Sequence, residues 1–446
     1  MKYRFVFIFL FLPLMLTAQE VLKLEEAVKA ALENNYGIQV AENSVLVSRN
    51  NAHPGNAGLL PRVSFDAGGN YNNSNAEVEL INADAGPGDP PYRTIEAKGL
   101  QTYGANAGIG VSYTVFDGLG NVYNYRVLKA NVSLTEEQTR ALIEQNLVQV
   151  ISAYYGVARL SGTVYILQEQ LSTSRNRIEY VKNQNQFGSA NRLAILNAEV
   201  DINTDSANLA TAKLNLQNSL RNLNLLMGRE LTDFYIVDTA VVYQENLQFE
   251  ELKTQAISNN ASLKAAALSQ QVSELSLRVN QAARYPRLAV NASYGYNYTN
   301  NGPVSFARSI QSLGFSGGAS LSFNIYDGSR TNRNVQNAEI ALASSLTRKK
   351  ETEQQLLLSL YNAFDSWQNS LAIYELEQKS LVAAEQNFAR TQEIFKLGQA
   401  TSVQFRDAQL NVLRVKNRLN DLKYDIKLNE SELMLLSGQL MPSAAE

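Results

Sequence analysis

The sequence predicts a mainly α fold with a transmembrane β-barrel portion. A duplicated unit supplies long antiparallel coiled-coil helices and four β-strands per chain. Three observations carry this expectation. The nine prolines leave two long intervals empty, between Pro91 and Pro286 and between Pro303 and Pro442. Proline costs about 3 kcal/mol in a helix interior, so such intervals suit long helices. The chain also repeats itself, and short segments of strict apolar–polar alternation stand outside the proline-free intervals.

The duplication is explicit in the residues. Leu22-Lys23-Leu24-Glu25-Glu26 returns as Leu247-Gln248-Phe249-Glu250-Glu251, an offset of 225, at which Asn34-Asn35 meets Asn259-Asn260 and Pro61-Arg62-Val63 meets Pro286-Arg287-Leu288. Farther on the offset is 210: Phe116-Asp117-Gly118 meets Tyr326-Asp327-Gly328, Gly188 meets Gly398, and Leu225-Leu226-Met227-Gly228 meets Leu435-Leu436-Ser437-Gly438. The difference of 15 residues assigns the first repeat a longer loop around Gly86-Pro87-Gly88-Asp89-Pro90-Pro91. The 446 residues, which alone suggest about three ordinary domains, thus read as one unit used twice.

Composition excludes several classes. With 39 basic and 42 acidic side chains the net charge is −3, unlike the basic surplus of a nucleic-acid binder. No cysteine is present, which removes disulfides, thiolate metal sites, cysteine nucleophiles and a lipidated N-terminal Cys. The single histidine, His53, sits beside Pro54 in a linker and reads as structural. No phosphate-binding loop, dinucleotide turn, metal-ligand spacing or acidic-pair constellation occurs. The expectation is therefore no catalytic residue, no metal and no cofactor, hence no enzyme, with energy for any transport supplied by a partner.

Residues 1–18 read as a signal peptide: Lys2 and Arg4 precede an apolar run from Phe5 to Leu16, too short for a transmembrane anchor, and Ala18 offers a small residue before the cut. N-terminal helices of the first repeat follow over 19–60. Barrel strands 1 and 2, with a long external loop, are assigned to 61–117. Val63, Phe65, Ala67 and Tyr71 alternate with Ser64, Asp66, Gly68 and Asn70, and Ala107, Ile109, Val111, Tyr113 and Val115 alternate with small polar residues. Asn70, Asn72 and Asn73 read as strand-end loop chemistry. A first helical hairpin spans 118–228 with its tip near Gly188, and 229–285 connects to the second repeat through its first helices. Strands 3 and 4 fall in 286–327, where Leu288, Val290, Ala292, Tyr294, Tyr296 and Tyr298, then Leu313, Phe315, Ala319, Leu321, Phe323 and Ile325, share one parity each. The second helical hairpin, 328–438, turns near Gly398, and 439–446 is a tail. Four strands cannot close a barrel and lipid forbids an open edge, so copies must associate; parity alone does not say how many.

Heptad spacing supports the helices. Leu360, Trp367, Tyr374, Leu381, Phe388 and Phe395 lead to one tip, and Phe405, Val412, Leu419, Ile426 and Leu433 lead away from it. Val150, Val157, Val164, Leu171 and Ile178, then Ile195, Ile202, Leu209, Leu216 and Leu223, repeat the pattern. A sustained seven-residue period signifies a left-handed coiled coil, and each long arm would span about 100 Å. Asn429 and Ser219 interrupt equivalent seam positions and read as register devices.

With these features the chain resembles the TolC-type outer-membrane efflux family over essentially its whole length. The likeness rests on the two repeats, Leu22 to Ala27, the strand start Leu60 to Val63, the strand-to-helix exits Asp117-Gly118 and Asp327-Gly328, and the two glycine tips. The resemblance implies a homotrimer with a twelve-stranded barrel in outer-membrane lipid and a helical periplasmic tunnel. It also implies a periplasmic adaptor (membrane fusion) protein and an inner-membrane transporter of RND or ABC type below. Passive export of small molecules, or of proteins, would follow, with no nucleic-acid partner. By the same likeness Phe187, Gly188, Leu397 and Gly398 would contact the adaptor. The family often closes its periplasmic aperture with an Arg, a Tyr and two acidic rings. Those positions fall at Ala400, Phe395, Gln404 and Asp407, with an acidic partner position at Ala194. Only Asp407 keeps its type; the adjacent Arg406 could substitute for the aperture Arg, though it stands in another heptad phase. The expectation is a weaker cation-selective constriction with an altered lock. The competing expectation is an exported structural or adhesive coiled coil without a pore.

Overall fold

The computed structural model describes residues 21–440 except 85, 189–190, 245 and 302–306. The signal segment, Pro303 and nearly all of the expected tail lie outside the described residues. The described chain runs β1 (Val21–Leu22), α1 (Leu24–Asn34), α2 (Tyr36–Asn51), β2 (Arg62–Ile81), β3 (Tyr92–Phe116), α3 (Gly120–Gln186) and α4 (Arg192–Met227). It continues with β4 (Ile236–Val237), α5 (Phe249–Asn259), α6 (Ala261–Ala282), β5 (Arg287–Asn300), β6 (Ser309–Ser322), α7 (Arg330–Lys396) and α8 (Ser402–Leu436). Two short helices, a β-hairpin and two long helices therefore occur twice in the same order. The chain divides into a unit containing residues 136–265 and 349–440 with the first segment up to Val45, and a second unit of Leu46–Thr135 and Ala266–Arg348.

In the first unit, apolar residues at helical spacing build the core. Val150, Tyr154, Val157 and Ala158 of α3 meet Leu220, Leu223 and Met227 of α4, with Ala27 and Ala31 of α1 laid over them. The second repeat does the same with Leu356, Leu360 and Trp367 of α7, Ile426 and Leu433 of α8, and Leu252 and Ala256 of α5. The duplicated Asn-Asn pairs explain how each short helix locks on. Asn35 donates from Nδ2 to the carbonyl of Leu226 at 2.8 Å, and its Oδ1 accepts the N–H groups of Gly37 and Ile38 at the start of α2. Asn260 repeats the device on Leu436 at 3.1 Å and on the N–H of Leu263. One amide thus satisfies orphan groups at two helix ends. Gly228, at φ 66°, ends α4, and a Cβ there would lie 2.6 Å from the Asn34 carbonyl oxygen, so only glycine fits. Asn429 donates to the Ser370 hydroxyl at 3.2 Å across the α7–α8 seam. The heptad seam shifts at the end of α3, where Val181 is fully buried and Ile178 is only half-buried.

The second unit holds a four-stranded antiparallel sheet in the order β2-β3-β5-β6. Its register aligns the alternating residues into a continuous apolar band: Phe65, Ile109, Tyr294 and Phe315 in one row, Ala67, Ala107, Tyr296 and Leu313 in the next. A slip of one residue on any strand would break that band. The band is uncovered, with Phe65 at 69% and Phe315 at 74% exposure, far beyond what water tolerates on a sheet face of this extent. Among the described residues, β2 and β6 each pair on one side only. No described helix is long and apolar enough to cross a membrane.

The first hairpin corrects two expectations. The supposed long loop is mostly strand: β2 and β3 stay paired to Ile81 and Tyr92, leaving only residues 82–91 as connection. Asn70, Asn72 and Asn73 accordingly lie inside β2, paired with Gly104, Thr102 and Gln101. In the second hairpin β6 ends at Ser322, so Phe323 and Ile325 fall beyond the strand.

Candidate functional site

The chemistry-bearing side chains of the first unit gather where the two helical hairpins approach their tips. At the tips themselves the chain turns through Gly188 (φ 79°) and Gly398 (φ 74°), a left-handed conformation that suits glycine. Phe187 (86% exposed) and Leu397 (70%) stand beside them in solvent. Two such apolar side chains at bare turns are candidates for a partner contact rather than core.

Behind the tips lies an aromatic plug. Phe395 and Phe405 pack with ring centroids 4.9 Å apart, Phe388 meets Phe405 edge-on at 5.3 Å, and Val181, Ala194, Ile195 and Ala400 close around them. Three positions at which the resemblance expects a polar lock, Phe395, Ala400 and Ala194, thus contribute to an apolar cluster. Gln184 fastens α3 to α7 by donating to the Phe395 carbonyl at 3.0 Å. Gln404, at the place of an acidic ring, caps α8: its Oε1 accepts from the Thr401 N–H at 2.9 Å, and its own N–H donates to Thr401 Oγ1. Asp407 lies exposed on a groove of about 630 Å³ that Leu193, Asn197, Ser402 and Val403 also line.

Next to the plug is a polar clamp that sequence reasoning did not find. Arg406 of α8 donates twice to Asp205 of α4, at 2.8 and 2.9 Å, and reaches Asp201 at 3.6 Å. Arg177 of α3 also pairs with Asp201. Ser174 donates to Asp205 at 2.6 Å, and Gln409 donates to Ser174 at 2.9 Å and to the Gln170 carbonyl at 3.3 Å. Arg177, Asp205, Ser174 and Gln409 are all buried. Burial works against the charge on Arg406, but the hydrogen bonds and charge of Asp205 outweigh it and raise its pKa. Arg406 therefore turns to its own network, while Asp407 beside it stays on the exposed face. The i, i+4 spacing of Asp201 and Asp205 and the heptad-adjacent Arg177 were visible signals. Which helix answered them was not, because that pairing joins residues about 200 apart.

The strand-to-helix exits are built alike. Asp117 accepts the Asn121 N–H at 2.9 Å; Asp327 accepts the Thr331 N–H at 3.0 Å and its hydroxyl at 2.6 Å. Gly118 and Gly328 have φ of 72° and 70°, and each is followed by another left-handed residue, Leu119 or Ser329. At Gly118 a Cβ would meet the Ala282 carbonyl at 2.6 Å. These exits start the long helices and carry no reactive arrangement. His53 accepts the Gly55 N–H at 3.1 Å in a turn. Among the described residues no cluster of acidic or histidine side chains could hold a metal ion.

A duplicated chain with an exposed apolar sheet face and two long helical hairpins is the architecture of the outer-membrane channel class. The chain belongs to the outer membrane efflux protein family, whose model matches residues 27–229 and 252–439. It is an outer-membrane protein. It is 21% identical to the outer membrane protein TolC of Escherichia coli K12 over 396 residues, covering 86% of this chain and 75% of that protein. It is 23% identical to the alkaline protease secretion protein AprF of Pseudomonas aeruginosa, covering 92% and 83%. Its fold matches the crystal structure of the Campylobacter jejuni CmeC outer membrane channel with a TM-score of 0.78 at 15% identity, covering 95% of this chain and 87% of that one.

Proposed function

We propose that the protein is the outer-membrane channel of a tripartite efflux or type I secretion system, a passive duct and not an enzyme. Three copies complete a twelve-stranded barrel. The helical hairpins extend into the periplasm, and Phe187, Gly188, Leu397 and Gly398 meet a periplasmic adaptor coupled to an RND or ABC transporter. One observation carries this reading: the apolar band runs unbroken across four strands whose outer edges are unpaired among the described residues, so the sheet needs both lipid and further copies of itself. Small molecules and proteins both remain within the reading, since the family is named for efflux and AprF for protease secretion.

Outer-membrane fractionation combined with heat-modifiable migration in detergent gels tests the reading. A water-soluble or fibrous product defeats it in favour of an adhesive coiled coil. Within the duct, three Asp407 side chains would ring the periplasmic aperture and favour cations. Asp407→Ala is expected to lower the cation-to-anion permeability ratio of single channels in planar bilayers, and an unchanged ratio removes that role. The exposed tips predict that Phe187→Asp with Leu397→Asp abolishes export while leaving the channel folded.

A further inference from the structure

The first β-hairpin turns its chemistry over beyond the end of the second. Pairing of β3 with β5 stops at Tyr103–Asn300, yet β2 and β3 continue together for a further stretch. Below that level one face carries Val63, Phe65, Ala67 and Tyr71, and the opposite face carries Ser64, Asp66, Gly68 and Asn70. Above it the faces exchange character. Strand β2 does so by switching parity: Ala76, Val78 and Leu80 now lie on the polar side, while Glu77 and Glu79 take the side of Phe65. Strand β3 keeps its apolar residues at odd numbers but inserts a bulge between Ala97 and Leu100, which rotates Ile95 and Ala97 onto the same face as Val78. Gly99 makes that bulge with φ of 68°, and Asn75 Oδ1 accepts its N–H at 2.8 Å. Two strands thus reach one result by different devices. Val78 faces Ile95 and Ala76 faces Ala97 on one side, and Glu77 faces Glu96 on the other. The inverted apolar residues are the half-buried ones, and the glutamates are exposed.

If the apolar band of the lower hairpin faces lipid, the upper face bearing Val78, Leu80 and Ile95 looks toward the barrel axis. The same faces of the other copies match its apolar residues, with Arg93, paired with Leu80, at the upper rim. We propose that the β2–β3 tops of neighbouring copies converge into an apolar collar at the outer mouth of the channel. This inference rests on the trimeric duct reading. The collar closes over a lumen lined by Ser, Asn and Gly, and an apolar constriction of this kind gates by excluding water. On the outer face Glu77, Glu79 and Glu96 keep this level of the hairpin out of the bilayer and away from lateral aggregation, and the apolar pair Ile81–Tyr92 lies at the tip beyond them.

The absence of native cysteine gives a clean test. Val78→Cys and Glu79→Cys are introduced separately, and purified protein is treated with a short bismaleimide. The collar predicts covalent multimers for Val78→Cys and few or none for Glu79→Cys. It also predicts that Val78→Asp raises single-channel conductance by about twofold or more, since a wetted constriction conducts. A heat-modifiable outer-membrane oligomer in which Glu79→Cys links as readily as Val78→Cys, or in which Val78→Asp leaves conductance unchanged, overturns the collar alone. Failure to find any such oligomer defeats the duct reading and the collar with it.

Discussion

The two copies of the duplicated unit fold alike and differ in what they bury near their tips. At the 210-residue offset, Ser174 corresponds to Ala384, Asp205 to Val415 and Arg406 to Leu196. Ser174, Ala384, Asp205 and Val415 are all buried. The second repeat fills its pair of positions with a methyl and an isopropyl group; the first fills its own with a hydroxyl and a carboxylate. The partner for that carboxylate comes from the other copy, since Arg406 reaches Asp205 while Leu196 at the equivalent site is 49% exposed. Duplication supplies two identical frames. One-sided substitution then turns the frames toward each other and makes an attachment between hairpins that neither possesses alone.

The largest expected effect breaks that asymmetry at one residue. Arg406→Ala leaves Asp205 buried beside Ser174 without its cation, and removing one partner of a buried ion pair costs about 3–5 kcal/mol. Thermal unfolding of the detergent-solubilised oligomer, followed by its helical circular dichroism, reads this directly. Replacing three members by what the other repeat carries, Ser174→Ala with Asp205→Val and Arg406→Leu, leaves the Arg177–Asp201 pair in place and is expected to be neutral or up to about 4 kcal/mol stabilising. If the triple variant is as unstable as Arg406→Ala, the positions are not interchangeable and the comparison fails. If it is stable but single channels open more readily, the clamp holds the aperture closed rather than holding the protein folded.

A second comparison, between the β-hairpins, sharpens at Gly99. The first hairpin contains a left-handed glycine bulge; β5 and β6 pair without a register shift. A Cβ at Gly99 meets nothing within 4 Å, so a substitution there is opposed by backbone strain alone. Gly99→Val should cost about 1–2 kcal/mol, and Gly99→Asn much less, because asparagine visits this conformation more readily. Limited proteolysis of the hairpin ranks the two; equal susceptibility would show that the bulge does not set the face inversion.

Much of this architecture was legible because it is periodic. Alternation marked Val63 to Tyr71 and Leu288 to Tyr298, heptads marked Leu360 to Phe395, and glycine marked both tips. What escaped was non-periodic or joined distant segments. The seven-residue count did not show Arg177 turning inward one position before Ile178, nor Asp205 meeting Arg406. The resemblance directed attention to Ala400 and Gln404 as lost lock residues, and only packing reveals that Ala400 belongs to the Phe395–Phe405 plug while Gln404 caps a helix. The turn residues Gly86 to Pro91 dominate the outer half of the first hairpin in sequence and mask the strands on either side of them.

The smallest expected effect lies at the paired exits, where the repeats differ by one hydroxyl. Asp117 and Asp327 each cap a long helix, but only Asp327 has a threonine four residues on. The Thr331 hydroxyl above all, helped by its N–H and by Arg330, holds the half-buried Asp327 carboxyl below its ordinary 3.8. A carboxylate whose pKa is lower folded than unfolded stabilises the fold above the unfolded value, and that contribution fades as pH falls through the folded one. The start of α7 should therefore fray only in acid, below the ordinary carboxylate range, and Thr331→Val should bring the fraying to higher pH by moving the Asp327 pKa up toward 3.8. Carbon-13 NMR titration of labelled aspartate side chains reads the shift. A Thr331→Val variant with an unmoved Asp327 would transfer the cause to the backbone N–H of residue 331 and to Arg330, and leave the two exits equivalent in their capping.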